Sequence, residues 1–503
     1  MAKLSLTKSG SMFEPLRLRL LVSALFIVSS LLSSRQRAPQ PVEPIPSLRQ
    51  RAWQEREFIG FVHLSINTYT DQEWGFGDES PRLFNPSEFN ADSVVGTLAS
   101  AGMREVILTA KHHSGFCLWP SKWTEYSVKN SPWKNGRGDL VREFGKACKK
   151  FGMAFGLYLS PWDRNHKDYG RPEYIEYYIN QLRELLTDYG EIAEVWFDGA
   201  NGGDGFYGGM REKHIIDRHL YYPWQKIWNL VRELQPNAVI FSDVGPDVRW
   251  VGNENGIADE TNWSPYSPVG EKNDAATVGY VRAEEATHGH RDGSKWIPAE
   301  CDVSIRPGWF YHPQEDSLVK SPAKLLELYL KSVGRNGVLL LNVPLNRSGK
   351  LPSNDVHSLL EFAQLRKSAF GRDLARGSSV IASNVRAGIP EFAPANIVDG
   401  SSQTWWATDD SITTAWIEVL LPTSSTIDCV ELQEPIALGQ RIESVSVEGW
   451  IGLAWQTVAR GTTVGYKRLI QFSPQKTDRI RIRIKRSKAS PVISQMRLYN
   501  IDH

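Results

Sequence analysis

The chain has 503 residues, enough for two or more domains, and its 41% apolar content supports real cores. A formal charge of +1 excludes nucleic acid or an acidic surface as the partner that composition would select. Its 18 Trp exceed what packing usually needs and fit stacking on flat ligand faces, although a Trp-rich core accounts for most of them.

The N-terminus reads as a targeting segment. Lys3, Lys8, Arg17 and Arg19 precede an apolar run from Leu20 to Leu32, with Ser33 and Ser34 after it. The run is short for a membrane span, so residues 1–34 are expected to be a cleaved signal peptide, with an uncleaved signal anchor as the alternative. The mature protein is then secreted, with no membrane attachment unless the signal is retained. Residues 35–52 are Pro-rich and read as a linker. Cys117, Cys148, Cys301 and Cys429 lack any C-x-x-C spacing, which excludes a disulfide scaffold and a zinc site but leaves one long-range disulfide open. Asn262-Trp-Ser and Asn346-Arg-Ser are glycosylation sequons, usable only on the surface of a secreted chain.

From Phe58 onward strand and helix alternate. Strands are predicted over 58–64, 105–110, 154–159, 195–197, 238–241, 297–303 and 338–343. Helices are predicted over 91–101, 139–151, 172–189, 224–234 and 323–333. Repeated β-α-β units of this kind mean a parallel sheet. Polar residues cluster at the strand C-termini: His63, His112, His113, Asp163, Asp198, Asp243 and Asp302. That clustering selects a (β/α)8-like TIM barrel over a doubly wound sheet, and no G-x-G-x-x-G follows the first strand. The Gly-rich, then basic, segment 201–222 reads as a long loop at the mouth of the barrel. After about Ala369 short alternating runs take over: 416–420, 429–432, 445–450, 468–472, 479–484 and 494–499. Their spacing predicts a C-terminal β-sandwich over 369–503, following a barrel over 53–368. Arg479-Ile-Arg-Ile-Arg-Ile puts apolar residues on one face and a solvated basic stripe on the other.

The candidate chemistry starts at Glu194-Val-Trp-Phe-Asp-Gly-Ala. A carboxylate at the carboxyl end of a buried strand is costly unless used or paired, and in a barrel that end faces the active site. Trp196 points to the same side as Asp198, because side chains alternate along a strand. An indole face and a carboxylate together make a sugar site. Glycoside hydrolysis requires a second carboxyl group across the bond. Asp243, Asp247, Glu254, Asp259, Glu260, Glu300 and Asp302 are all candidates, and spacing does not choose among them. The stretch 247–263, with two Trp, one Arg and several acids, has the makeup of a binding loop. His112-His113 follows a strand directly, so one ring is expected to face the site and the other the wall. Glu73-Trp74 offers another carboxylate–indole pair. Two other readings compete. A metal-dependent barrel hydrolase would use His63, His112, His113, Asp198 and Asp243, but no His-x-His follows the first strand. The other is a sugar-binding protein without catalysis.

The motifs taken together resemble the α-L-fucosidases of glycoside hydrolase family 29. The resemblance covers roughly Phe58 to Leu365. It rests on His63, Asn67-Thr-Tyr-Thr-Asp-Gln-Glu-Trp-Gly, Leu108-Thr-Ala-Lys-His-His, Gly156-Leu-Tyr-Leu-Ser-Pro-Trp-Asp, the Asp198 motif, Arg249-Trp-Val-Gly-Asn-Glu and Pro298-Ala-Glu-Cys-Asp-Val-Ser-Ile-Arg-Pro-Gly-Trp. It is nearest to the secreted plant-type enzymes that act on α-1,3 and α-1,4 fucosyl linkages, and the tail resembles a discoidin-like sandwich. The resemblance implies a retaining exo-acting hydrolase of terminal fucose on oligosaccharides or glycoproteins, with no cofactor and no metal. It implies Asp198 as nucleophile and Glu254 as acid/base, with His63, Glu73, Trp74, His112, His113, Tyr158 and Trp196 holding the sugar. Arg306 and Trp309 are given at most an outer role. Two positions depart from the family pattern: Leu64-Ser65 replaces Phe-Gly, and Ser114 replaces Asp.

Overall fold

Eight strands close into a parallel barrel: β1 (Phe58–Val62), β2 (Glu105–Lys111), β3 (Ala154–Leu159), β4 (Glu194–Trp196), β5 (Val239–Ser242), β6 (Val248–Trp250), β7 (Ala299–Ser304) and β8 (Val338–Asn342). Each pairs in parallel with its sequence neighbours, and β8 returns to β1. The coordinates are a computed structural model describing residues 38–501, so the expected signal segment lies outside the described residues.

The helices of seven or more residues among the described ones are α1 (Leu48–Gln54), α2 (Ala91–Ser100), α3 (Leu140–Phe151), α4 (Pro172–Asp188), α5 (Trp224–Leu234), α6 (Pro322–Lys331) and α7 (Ser353–Phe370). Local signals set their ends. Asn90 and Asp139 accept from the backbone N–H three residues on, at 3.0 and 2.9 Å, and so cap α2 and α3. Side chains pointing out of the barrel pack against these helices in one large apolar cluster that includes Val62, Val106, Leu108, Leu157 and Val195. Side chains pointing in form a second cluster that includes Ile59, Phe61, Ile107, Tyr158, Trp196, Val239, Phe241 and Leu340. The strict period of two in a strand separates the two sets.

The structure corrects the sequence reading at three places. The expected linker over 35–52 runs into helix α1, which starts at a capping box: Ser47 Oγ accepts from Gln50 N, and the Gln50 side chain accepts from Ser47 N. Gln50 Nε2 then donates to the backbone oxygens of Asp247, at 2.9 Å, and Trp296. Trp53 is wholly buried in the cluster inside the barrel, and its indole N–H donates to Glu194 Oε2 at 2.7 Å. Seven residues are too few for helical periodicity to show. Strand β6 falls inside the stretch 247–263 that reads as a loop, and only five residues, 243–247, join it to β5. In the tail, runs that look separate are parts of two long strands.

The tail builds a sandwich. Its main sheet runs β9 (Ser379–Ala382), β11 (Ala415–Gln433), β14 (Arg468–Ser487), β12 (Ile442–Ile451), β13 (Ala454–Gly461), with β16 (Gln495–Tyr499) also on β11. The short pair β10 (Trp406–Ala407) and β15 (Val492–Ile493) forms a second layer. Irregularities between Leu420 and Ser425, and between Ile427 and Cys429, break the pattern that would show β11 as one strand. Ile480, Ile482 and Ile484 are buried. On the other face Arg481 pairs with Glu418 at 3.0 Å and Arg483 with Glu448 at 2.9 Å, so the basic stripe is neutralised within the sheet. Sandwich and barrel meet through ion pairs, Lys467 to Glu57 at 2.6 Å and Arg468 to Glu260 at 2.9 Å.

Cys117, Cys148 and Cys301 are buried thiols, which removes a disulfide among them. Asn262 is 1% exposed and its amide nitrogen donates to Arg335 O, so the first sequon has no room for a glycan in the folded chain. Asn346 is half-buried, with its side-chain oxygen accepting from Ser348 N and Lys350 N. No helix among the described residues is long and apolar enough to cross a membrane.

Candidate active site

Inward-pointing positions stack in layers up the barrel. Near the lower end, Glu105, Glu194 and Glu300 are fully buried around Arg56 and Trp53. Gly156 keeps this layer open: a Cβ there would lie 2.8 Å from Ile107 Cγ1 and 3.1 Å from Glu105 Oε1. Burial raises all three carboxyl groups, Glu300 up to about 8, and a side-chain hydrogen bond to Glu194 opposes the rise at Glu300. The upper layer carries the candidate chemistry. Strand β7 ties the two together. Glu300 Oε1 accepts the Trp196 indole N–H at 2.8 Å, and Ser304 Oγ accepts from Asn342 Nδ2 at 2.9 Å. The Asn342 carboxamide oxygen in turn takes the His63 Nδ1–H at 2.7 Å.

Above this layer lies a cavity of about 650 Å³. His63, Glu73, Trp74, His112, His113, Tyr158, Trp196, Asp198 and Glu254 all line it. Its volume fits a small-molecule site. Trp196 stacks on Phe241 at 4.0 Å and on Tyr158 at 5.3 Å, and Tyr158 stacks on His112 at 5.6 Å, so these cavity-lining rings brace one another. Trp74 is 50% exposed and stands edge-on to His113 and Trp162 at the rim. A large indole left in water beside a polar cavity is positioned to receive a ligand face.

Asp198 follows β4 at the cavity wall. Its Oδ2 accepts from the Tyr158 hydroxyl at 2.9 Å and its Oδ1 from Ala200 N at 2.6 Å, while His113 Nε2 lies 3.8 Å from Oδ2. Burial raises its pKa, and the Ala200 N–H and the Tyr158 hydroxyl oppose that rise. Glu254 reaches the cavity from the loop after β6, with Oε2 accepting the Trp309 indole N–H at 3.3 Å. Partial burial holds its proton above the usual range, and the negative charges of Asp198 and Glu73 act in the same direction. Once Asp198 is ionised, its charge makes Glu254 harder to deprotonate.

The histidines are neutral. Burial pushes His63 and His113 down to about 3 and His112 well below its ordinary value. A carboxamide oxygen only accepts, so His63 carries its proton on Nδ1 and presents Nε2 as an acceptor. Ser160 Oγ donates to Trp162 O at 2.7 Å, so the His113 Nδ1 that meets it at 2.7 Å is the donor there. Both His112 and His113 line the cavity, against the expectation that one would face the wall. A register shift between Thr109 and Lys111 ends the regular alternation just before them. His112 Nδ1, Asp243 Oδ1 and Asp302 Oδ1 are buried atoms that find no hydrogen-bond partner in the protein.

The other candidate acids divide by position. Asp243 and Asp302 line the cavity, and burial, with the charge of Asp198, pushes Asp243 up to about 7. Glu300 lies a layer below. Asp247 is held by Arg49 and Arg232, and Glu260 by Arg335 and Arg468. Asp259 accepts from the Thr287 hydroxyl at 3.1 Å. Ser114, one of the two departures, is buried and does not line the cavity, and neither does Leu64 or Ser65. Sequence reasoning missed Trp250, on the three-residue strand β6, and the wall formed by Glu271, Gly279, Val281 and Ala283 on a segment without periodicity. Trp309, assigned only an outer role, lines the cavity, whereas Arg306 is wholly buried against Asp355 at 2.7 Å. Among the described residues no three His, Cys, Asp or Glu side chains meet in a way that could hold a metal ion.

A closed parallel barrel with two carboxyl groups and stacked rings at the C-terminal mouth defines a sugar hydrolase of the (β/α) barrel class. Comparison with known proteins narrows the class. The family profile for alpha-L-fucosidase matches residues 47–368, and that of the NedA-like, galactose-binding domain matches 396–482. Putative alpha-L-fucosidase 1 of Oryza sativa subsp. japonica is 43% identical over 459 residues, which is 91% of this chain and 85% of that relative. Alpha-L-fucosidase 1 of Arabidopsis thaliana is 42% identical over 467 residues, 92% and 88% of the two chains. The solved structure of a putative alpha-L-fucosidase from Bacteroides thetaiotaomicron superposes with TM-score 0.83 at 39% identity, covering 92% of this chain and 99% of that one. A Ruminococcus gnavus GH29 fucosidase in complex with fucose gives TM-score 0.83 at 34% identity, covering 92% and 96%. The chain belongs to the alpha-L-fucosidase family, glycoside hydrolase family 29, and is a glycoside hydrolase.

Proposed function

We propose that this enzyme removes terminal α-L-fucose from oligosaccharides or glycoproteins with retention of configuration, preferring α-1,3 and α-1,4 linkages. The observation that carries the reading is the pairing of Asp198 and Glu254 on one cavity, with the charge of the first raising the pKa of the second. In the first step Asp198 attacks the anomeric carbon while Glu254 delivers its proton to the departing glycosidic oxygen. The carbon–oxygen bond to the leaving group breaks and a fucosyl ester forms on Asp198. In the second step Glu254, now ionised, takes a proton from water, which displaces Asp198 and restores the first state. Neutral His63, His112 and His113, with Glu73, Trp74, Tyr158 and Trp196, hold the ring. The linkage preference rests on the resemblance of the motifs together to the secreted plant-type enzymes. The Ruminococcus gnavus relative solved with fucose supports the sugar assignment.

The chain's own substrate is tested by incubation with α-1,2-, α-1,3- and α-1,4-fucosylated oligosaccharides, following free fucose. Proton NMR of the first-formed fucose tests retention: the α-anomer is expected, and the β-anomer would reverse the stereochemical reading. Asp198→Ala is expected to keep the fold and lose turnover. Near wild-type hydrolysis of an aryl fucoside by that variant would remove Asp198 from the nucleophile's place. We further read the enzyme as secreted, on the basic and apolar N-terminal segment. N-terminal sequencing of the protein exported by a eukaryotic host is expected to begin near Arg35.

A further inference from the structure

His312 belongs to none of the motifs above and does not line the cavity, yet it closes a chain of bonds that ends on Glu254. Its ring is 8% exposed. Nδ1 lies 2.7 Å from Asp71 Oδ1 and Nε2 lies 2.7 Å from Glu73 Oε1. A carboxylate only accepts, so both ring nitrogens carry protons and the side chain is an imidazolium. The two carboxylates come from the loop after β1, whereas His312 comes from the loop after β7, so the ring pins one loop to the other. Glu73 is held further by the backbone of the β7 loop: Oε2 accepts from Trp309 N at 2.9 Å and Oε1 from Phe310 N at 3.1 Å. The fit is close. A Cβ on Gly308 would lie 2.5 Å from Glu73 Oε1 and 3.0 Å from His312 Cδ2, so a side chain there would push directly on the clamp. Trp309, whose position this clamp fixes, donates its indole N–H to Glu254 at 3.3 Å, and its carbonyl oxygen accepts from Asn342 Nδ2 at 2.8 Å.

We propose that His312 is a positioning residue, which locks Glu73 under the Trp309 loop and thereby aims Glu254 at the glycosidic oxygen. The inference rests on the reading of Glu254 as acid/base. It has a consequence that a plain structural role lacks. Protonation of the leaving group matters greatly when that group is a sugar alkoxide and little when it is a stable phenolate. Misplacing Glu254 therefore harms natural substrates selectively. The quantity to follow is kcat/KM, which reports only the steps up to cleavage of the glycosidic bond.

The test compares wild type, His312→Phe, Asp71→Asn and Glu254→Ala on a fucosylated oligosaccharide and on a fucoside with a dinitrophenyl leaving group. For His312→Phe, kcat/KM on the oligosaccharide is expected to fall roughly ten- to a hundredfold, with a loss at least about tenfold smaller on the dinitrophenyl fucoside. Asp71→Asn is expected to show the same selectivity more weakly, with the wild-type melting temperature, because Asp71 is 40% exposed and only the outer half of the clamp is lost. Equal losses on both substrates, or none, in both clamp variants would overturn the proposal. Glu254→Ala separates the two claims. It should show the steepest dependence on the leaving group, and if it shows none, the acid/base reading itself fails whatever the clamp variants do.

Discussion

The bond between Tyr158 and Asp198 gives the sharpest test of how the site sets its charge. Tyr158→Phe removes one oxygen and keeps the ring, which is 1% exposed and stacked on Trp196 and His112. Packing is preserved, so the variant reports on the 2.9 Å bond to Asp198 Oδ2. That hydroxyl stabilises the carboxylate and not the acid, so its loss raises the Asp198 pKa and the acid limb of kcat/KM moves to higher pH. A hydrogen bond to a charged group is worth about 1.5–3 kcal/mol, a factor of roughly 10–150 in the ionisation equilibrium. The Asp198 side chain is 23% exposed and keeps the Ala200 N–H, which places the effect near the lower end. On the acid limb, kcat/KM should therefore fall about tenfold at a given pH, while the plateau above it changes by only a few fold. The assay is a pH profile on an aryl fucoside, with a thermal melt as control. An acid limb unmoved from wild type, in a folded variant, would refute the argument that Tyr158 and Asp198 share this proton equilibrium.

Two further outcomes concern the barrel's lower layer. Trp53→Ala should cost about 3–5 kcal/mol in urea unfolding, from the cavity left by a buried indole and the donor lost to Glu194; a loss below about 1 kcal/mol would mean that α1 is not part of the core. Stability should fall as pH rises from the ordinary glutamate range toward about 8, because the folded chain keeps a proton on Glu300 that the unfolded chain has released. Glu300→Gln removes one such group while keeping an acceptor for the Trp196 indole, so its melting temperature should vary less over that range than that of wild type; an unchanged slope would show that Glu300 does not titrate there.

The alternation of strand and helix was readable because each outward face repeats at the period of its element. Strand β3 (Ala154–Leu159) and helix α5 (Trp224–Leu234) match their predicted spans residue for residue. Short elements were not readable. Strand β6 has three residues and α1 has seven, and neither completes enough periods to stand out, although Ser47 and Gln50 carried the capping signal. In β11, irregular pairing hid a 19-residue strand behind two short runs.

Of the site, His63, His112, His113, Trp196 and Asp198 were legible from chain order, because each lies in, ends or closely follows an apolar run, whereas Tyr158 was implied only by the family resemblance. Strand alternation sets which way Trp196 points, and the barrel's closure turns the strand ends to a common mouth; at His112 and His113 the shift after Thr109 breaks the alternation, so chain order placed the pair but not the direction of each ring. Glu254, Trp309 and the Asp71–His312–Glu73 clamp are different. They sit on loops far apart in sequence, where no period sets direction, and Glu254 was chosen among seven acids only by family resemblance. Only tertiary structure decided which of them meet, because bonds between side chains more than 200 residues apart, such as His312 to Glu73, depend on where the whole barrel brings its loops.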